Sequence, residues 1–267
     1  MVDGVLDKVT PVPSGFLGAF IIAMIIGYFV KYLNKSINLP KNWLAFKSTF
    51  LIPLLSSLFC MFVMVFVITP VGGWINLQIR ALLEAAGAAG QFAYALVLSA
   101  TTAFDLGGPV NKAAGFVALG FTTEKVLPIT ARTIAIVTPS IGLGLSTLID
   151  KKLVGRRVYN SEFYDAGKTS IFLAFMGISE GAIPFALENP GFTIPLYVVS
   201  SVIGAFSGIA LGAVQWFPES AVWAWPLVKN LPAYMIGIAV GSVIIAVSNV
   251  LYRNKLIKDG KLEVDEY

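Results

Sequence analysis

From Thr49 to Pro70 the chain carries no charged side chain. A run of that length matches the ~30 Å hydrocarbon core of a bilayer, which one helix of about 20 apolar residues crosses. Largely apolar runs of similar length, with at most one charge each, occupy 16–33, 126–149, 192–214 and 231–252. Across all 267 residues 57% are hydrophobic and 13% charged, and the mean hydropathy is +0.80. A soluble domain carries roughly 25% charged residues, so this chain lacks the polar side chains to cover a water-facing surface. The pattern predicts an all-α polytopic membrane protein with about six to eight transmembrane helices. One cysteine rules out a disulfide scaffold, and the apolar excess rules out disorder. The net charge of +4 is spread over several places rather than one patch, so no nucleic-acid partner is expected.

The chain contains no histidine. Imidazole acid–base chemistry, the usual zinc and haem sites and a phosphohistidine are therefore excluded, and no metal or cofactor is expected. Cys60 lies in the apolar run Leu58-Phe59-Cys60-Met61-Phe62, where a thiol stays protonated, so it is not a nucleophile. Asp3 and Asp7 precede the first apolar run, which does not fit a secretory signal.

Basic residues set the sidedness. Thirteen of the 19 Lys and Arg fall in three places: Lys31, Lys35, Lys41 and Lys47; Lys151, Lys152, Arg156, Arg157 and Lys168; and Arg253, Lys255, Lys258 and Lys261. All three are expected in the cytoplasm, and Trp216, Phe217, Trp223 and Trp225 are expected to form an outer aromatic belt. With the tail inside, the run 169–187 begins and ends on the same face and reads as a re-entrant hairpin with its tip near Gly177 to Pro184. The same counting favours a second hairpin near 91–124, broken at Asp105-Leu106-Gly107-Gly108-Pro109, over three crossings. Residues 72–87, with Arg80 and Glu84 among leucines, read as an interfacial helix. The expected division is an N-terminal membrane part over 1–90, a transport part over 91–252 and a cytoplasmic tail over 253–267.

Asp105, Lys112, Arg132 and Glu180 lie in or beside apolar segments. Ionisable groups at membrane depth are expensive and mark functional sites, or else pair internally. Asp105 with Lys112 or Arg132 would be such a pair. Glu180 has no basic residue within one turn and has Gly177, Gly181 and Pro184 around it. A carboxylate at an open hairpin tip can accept two sugar hydroxyls, and Phe172, Phe175 or Phe185 could stack on a sugar face.

Two strings carry a resemblance: Ala103-Phe104-Asp105-Leu106-Gly107-Gly108-Pro109-Val110-Asn111-Lys112-Ala113-Ala114 and Gly177-Ile178-Ser179-Glu180-Gly181-Ala182-Ile183-Pro184-Phe185-Ala186. Together with Gly15-Phe16-Leu17-Gly18-Ala19, Leu39-Pro40, Ile52-Pro53-Leu54-Leu55-Ser56 and Asp165-Ala166-Gly167-Lys168, they resemble enzyme IIC, the membrane subunit of the fructose-type sugar phosphotransferase systems of bacteria. The resemblance implies a dimeric transporter of the bacterial plasma membrane that binds fructose or a related sugar. It also implies that the sugar is phosphorylated on delivery by the phosphocysteine of a partner enzyme IIB, itself served by upstream phosphotransferase components. It places sugar binding on Glu180, with Asp105, Asn111, Lys112, Ser179, Pro184 and Phe185 at the site and no catalytic nucleophile in this chain.

Two features depart from that family. Its members carry about three further spans ahead of the Gly-Phe-Leu-Gly segment. They also commonly show a His-Gly-Gly stretch where this chain reads Phe217-Pro218-Glu219-Ser220-Ala221-Val222. A truncated or split-transporter partner, a regulatory subunit and a non-phosphorylating sugar carrier are the alternatives. The topology has a direct check. Cysteines placed at Asn34 and Asn160 should resist an impermeant thiol reagent in intact cells, and one at Glu219 should react; labelling of both asparagine sites would overturn the orientation.

Overall fold

The structure, a computed structural model, describes residues 15–123 and 125–264. Among these the chain is helical, without a β-strand, and the only β-type pairing is an isolated antiparallel bridge between Val214 and Lys229. Four helical stretches are long and apolar enough to cross a membrane: Lys41–Val71, Thr130–Val154, Pro190–Ala210 and Leu231–Lys258. The all-α, polytopic membrane architecture expected from the sequence is what the chain adopts. It divides into two compact units, the first ending at Gly87 and the second beginning at Ala88.

In the first unit α1 (Gly15–Ser36) packs against α2 (Ile52–Val63). Ile22, Val63 and Ile68 form the small core between them, and the rings of Phe29 and Phe59 stack at 4.0 Å. Lys47 donates to the carbonyl of Asn34 at 2.8 Å, which ties the connection to the end of α1. Two π-helical turns, Lys47–Leu51 and Met64–Ile68, each end just before a proline-bearing segment, with Pro53 and Pro70 two residues beyond them. Proline has no N–H to give and crowds the carbonyl four residues back, and a widened turn accommodates both. Only 22% of the most apolar 18 residues of Lys41–Val71 is buried, and Phe50, Leu58, Met61, Phe62 and Phe66 face outward, as lipid contact requires. Winding continues from there into α3 (Thr69–Phe104), so residues 72–87 form part of a helix that runs unbroken to Phe104.

The second unit is organised by α5 (Thr130–Val154), of which 72% of the apolar stretch is buried. Around α5 pack α6 (Ser161–Phe175), α8 (Pro190–Ala210) and α9 (Leu231–Lys258). Two broken helical pairs lie where the hairpins were expected. The first is the end of α3, a turn at 105–108, and α4 (Pro109–Thr123). The second is α6, a turn at 176–179, the 3-10 turn Glu180–Ala182, and α7 (Ile183–Glu188). The second begins earlier than 169 because Asn160 caps it, its side chain accepting from the N–H of Phe163 at 3.0 Å. That polar first turn carries no hydropathy signal.

Asp150 closes the α5–α6 connection. It is fully buried and accepts from the N–H of Val158 at 3.0 Å and from the Arg157 guanidinium at 2.9 Å. Arg253 on α9 closes the base of the second hairpin. It donates to the carbonyl of Val158 at 2.7 Å, pairs with Glu188, and lies 4.2 Å over the ring of Tyr159.

Between α8 and α9 the backbones nearly touch. A Cβ on Gly204 would meet the carbonyl oxygen of Gly237 at 2.6 Å, and one on Gly237 would meet that of Gly204 at 2.7 Å. With Gly208 and Gly241 these make two facing small-xxx-small pairs, the arrangement by which helices pack closely where no hydrophobic drive separates them from lipid. Gly237→Val should therefore lower the thermal midpoint of the protein in detergent, by the equivalent of about 1–3 kcal/mol for overpacking. Gly27→Val, at a position with nothing within 4 Å, should leave it unchanged.

Candidate sugar-binding site

Three non-helical segments meet in the second unit. The first is the turn after α3. Its backbone is left-handed at two successive residues, Leu106 (φ 48) and Gly107 (φ 94). A leucine pays roughly 1–2 kcal/mol for that conformation, and burial of its side chain, only 3% exposed, holds it there. The carboxylate of Asp105 then caps α4. Its Oδ2 accepts from the N–H of Val110 at 2.7 Å and its Oδ1 from that of Asn111 at 2.9 Å. These are donors that a helix start leaves without intrahelical partners. Both oxygens are engaged in this way, so the expected pairing of Asp105 with Lys112 or Arg132 is not formed. The backbone N–H groups are nearer and aligned with the positive end of the helix dipole.

The second segment is the tip of the α6–α7 hairpin. Ser140 on α5 donates to the carbonyl of Ser179 at 2.9 Å, and Ser170 on α6 donates to the carbonyl of Ser140 at 3.0 Å. Ser179 and Ala182 are buried, whereas Glu180 between them is exposed. The Glu180 carboxylate lies on Gly107: a Cβ there would come within 2.6 Å of its Cδ. Among the described residues Glu180 meets no cation and accepts one hydrogen bond, from the Ser179 hydroxyl at 3.5 Å.

The third segment is 213–221. Gln215, fully buried, stitches it to the start of α5 and to itself. It accepts from Thr133 at 2.8 Å and donates to the carbonyl of Phe217 at 3.1 Å, while its N–H donates to Thr130 at 2.8 Å. Glu219 accepts from the N–H groups of Ser220 and Ala221 at 2.8 and 3.1 Å. Gly177, at the hairpin tip, packs against this loop, with the Glu219 Oε1 and the Ala221 nitrogen both 2.9 Å from where its Cβ would stand. The hairpin tip thus touches the first segment through Glu180 and the third through Gly177. The aromatic belt expected here is incomplete: Trp223 and Phe217 are exposed, but Trp225 is buried against Phe175 and Tyr234 and donates to the carbonyl of Ser220.

The remaining residues expected at the site have distinct surroundings. Asn111 is buried. Its amide donates to the carbonyl of Thr102 at 2.5 Å, and its side-chain oxygen accepts from Arg132 at 3.0 Å. Lys112 is exposed on α4. Pro184 is exposed in the first turn of α7, and Phe185 turns inward onto Tyr159 and Phe163. Phe172 is exposed on α6, and Phe175 packs on Trp225. The buried ties through Thr102, Ser140 and Gln215 carried no sequence signal, because small hydroxyls and a lone glutamine in apolar runs are not distinctive.

Fold and site together define a helical membrane protein with two broken hairpins and an unpaired carboxylate held between them. The family model for the phosphotransferase system EIIC matches residues 2–200, and the chain belongs to that family. It is 59% identical over 96% of its length to the fructose-like permease IIC component 1 of Escherichia coli (strain K12), of which it covers 62%. It is 32% identical to the fructose-like permease IIC component 2 of the same organism, over 92% of this chain and 67% of that one. Identity to the PTS system fructose-specific EIIB'BC component of Rhodobacter capsulatus is 34%, over 80% of this chain and 37% of that one. The chain thus spans 62% of the length of the first of these relatives. No solved structure matches it.

The contact between Gly107 and Glu180 has a testable consequence. Gly107→Ala places a methyl group against the carboxylate at a φ that alanine resists. The variant should lower the thermal midpoint of the protein in detergent, and Gly260→Ala, also at positive φ but with open space around it, should lower it less. Thermal unfolding of both variants decides this.

Proposed function

We propose that this chain is the sugar-binding and translocating part of a phosphotransferase permease, acting on fructose or a related sugar. The observation that carries the reading is the Glu180 carboxylate, exposed at a broken hairpin tip and without a cation partner among the described residues. An ionised group in a low-dielectric setting needs donors, and an array of sugar hydroxyls supplies them. Asp105 and Asn111 act from behind by fixing the turn that carries Gly107, and Lys112 lies on the same helix. Ser179 and Pro184 flank Glu180, with Phe185 supporting the hairpin from the core.

The sugar then receives its phosphoryl group from the phosphocysteine of an enzyme IIB, and this chain supplies no nucleophile. The name of the Rhodobacter relative, which joins EIIB' and B to C, supports such a partner. The role of the chain in the reaction is positional: a hydroxyl held in line with the incoming phosphorus reacts far faster than a free one. We place the protein in the bacterial plasma membrane as a homodimer bounded by lipid. The basic ends of α5 and α9 and the C-terminal tail face the cytoplasm, and the transport part is separate from residues 1–90.

Glu180→Gln keeps the shape and removes the charge. A charge-assisted hydrogen bond contributes roughly 1.5–3 kcal/mol and a neutral one 0.5–1.5. The substitution should therefore weaken fructose binding by at least about tenfold, equivalent to ~1.4 kcal/mol. Isothermal titration in detergent measures this, and undiminished affinity in a folded variant would overturn the assignment.

A further inference from the structure

Arg132 enters the second unit from the first turn of α5 and reaches across to α3 and α4. Its guanidinium donates to the Thr102 hydroxyl at 3.2 Å, to the carbonyl of Asn111 at 3.0 Å and to the Asn111 side-chain oxygen at 3.0 Å. It lies on Gly115, where a Cβ would come within 2.8 Å of its Cζ, so the absence of a side chain at 115 gives it its place. All three acceptors are neutral. Among the described residues Arg132 forms no ion pair, and neither does Lys112.

Both cations line one cavity of about 260 Å³, whose other walls are Gly115, Phe116, Leu119, Ile129 and Pro218. That lining contains no carboxylate. Two like charges beside apolar walls repel each other and lack a counter-charge, an arrangement that a bound anion relieves. A purely structural arginine would be served by its three neutral acceptors and would gain nothing from a lysine beside it. The cavity also adjoins the proposed sugar site along α4. Lys112 follows Gly108 by four residues, a rise of ~6 Å along a helix, and Gly107 is where Glu180 rests.

We propose that this cavity is an anion subsite, and that the substrate class is a polyhydroxy compound carrying one carboxylate or phosphate group. This rests on the sugar-binding reading of Glu180 and extends it: hydroxyls meet the acid at one end, and the anionic group meets Arg132 and Lys112 at the other. The planar guanidinium presents paired N–H donors to two oxygens of such a group, and the lysine adds a point charge. The site has opposite polarity at its two ends and so orients an elongated ligand.

The test uses the whole chain in lipid nanodiscs, titrated calorimetrically with gluconate, fructose 6-phosphate and the neutral polyol glucitol. Gluconate or fructose 6-phosphate, whichever source of anion the site takes, should bind at least about tenfold more tightly than glucitol. That ratio should fall as salt is raised. Lys112→Gln, at an exposed position, should bring the ratio towards one. Arg132→Lys should preserve more of it than Arg132→Gln. A ratio near one in the unmodified chain, or a ratio that Lys112→Gln leaves intact, overturns the anion subsite. So does failure of all three ligands while fructose still binds through Glu180, and in that case the sugar-binding reading stands. Inorganic phosphate or acetate binding as tightly as the polyhydroxy anions would overturn the substrate class.

Discussion

The capping of α4 by Asp105 is the interaction on which the site depends. A helix that stops at Phe104 and restarts at Pro109 exposes carbonyls at one end and N–H groups at the other, in a protein whose surroundings offer little water. Irregular backbone survives at such a place only where protein groups satisfy it. Asp105 takes two of the free N–H groups, and Tyr197 on α8 donates to the carbonyl of Phe104 at 3.0 Å. Arg132 and Asn111 take further groups from behind. The turn is thereby rigid enough to keep Leu106 and Gly107 left-handed, and a left-handed glycine is what leaves room for Glu180.

The second hairpin is held on the same terms. Its tip carbonyl at Ser179 is bonded by Ser140, and Ser140 is itself bonded by Ser170. Its base is fastened by the pairing of Glu188 with Arg253. Charges that hold structure are thus partnered, with one member of each pair buried: Asp150 with Arg157, and Arg253 with Glu188. Glu180, Lys112 and Arg132 are charges without a counter-charge, and all three belong to the region where the broken segments meet.

Sidedness also gains physical content. The basic residues that close α5 and α9, Lys151, Lys152, Lys255 and Lys258, lie at helix C-termini, where cations oppose the negative end of the dipole. Their position therefore serves the helices as well as the proposed orientation in the membrane.

From its amino-acid sequence alone, the chain determined that it is a helical membrane protein, where its long apolar helices run, and that two of its apolar segments are broken. Composition and the glycine–proline punctuation at 107–109 and 177–184 are local properties, and a bilayer sorts segments by local hydropathy. The two motif strings also singled out Glu180 and Asp105 as candidate site acids. The partners of those acids were decided only by the tertiary structure. For Asp105 an ion pair with Lys112 or Arg132 was the alternative to a site role, and it instead took backbone N–H groups, because the restart of α4 placed them within 3 Å. Trp225 was expected at an interface and was buried, because the segment 213–228 folds onto α5 and α9 through Gln215 and Val228. The meeting of Glu180 with Gly107 joins residues more than seventy positions apart. No local pattern encodes such a meeting; it follows from how α5, α6 and α8 pack.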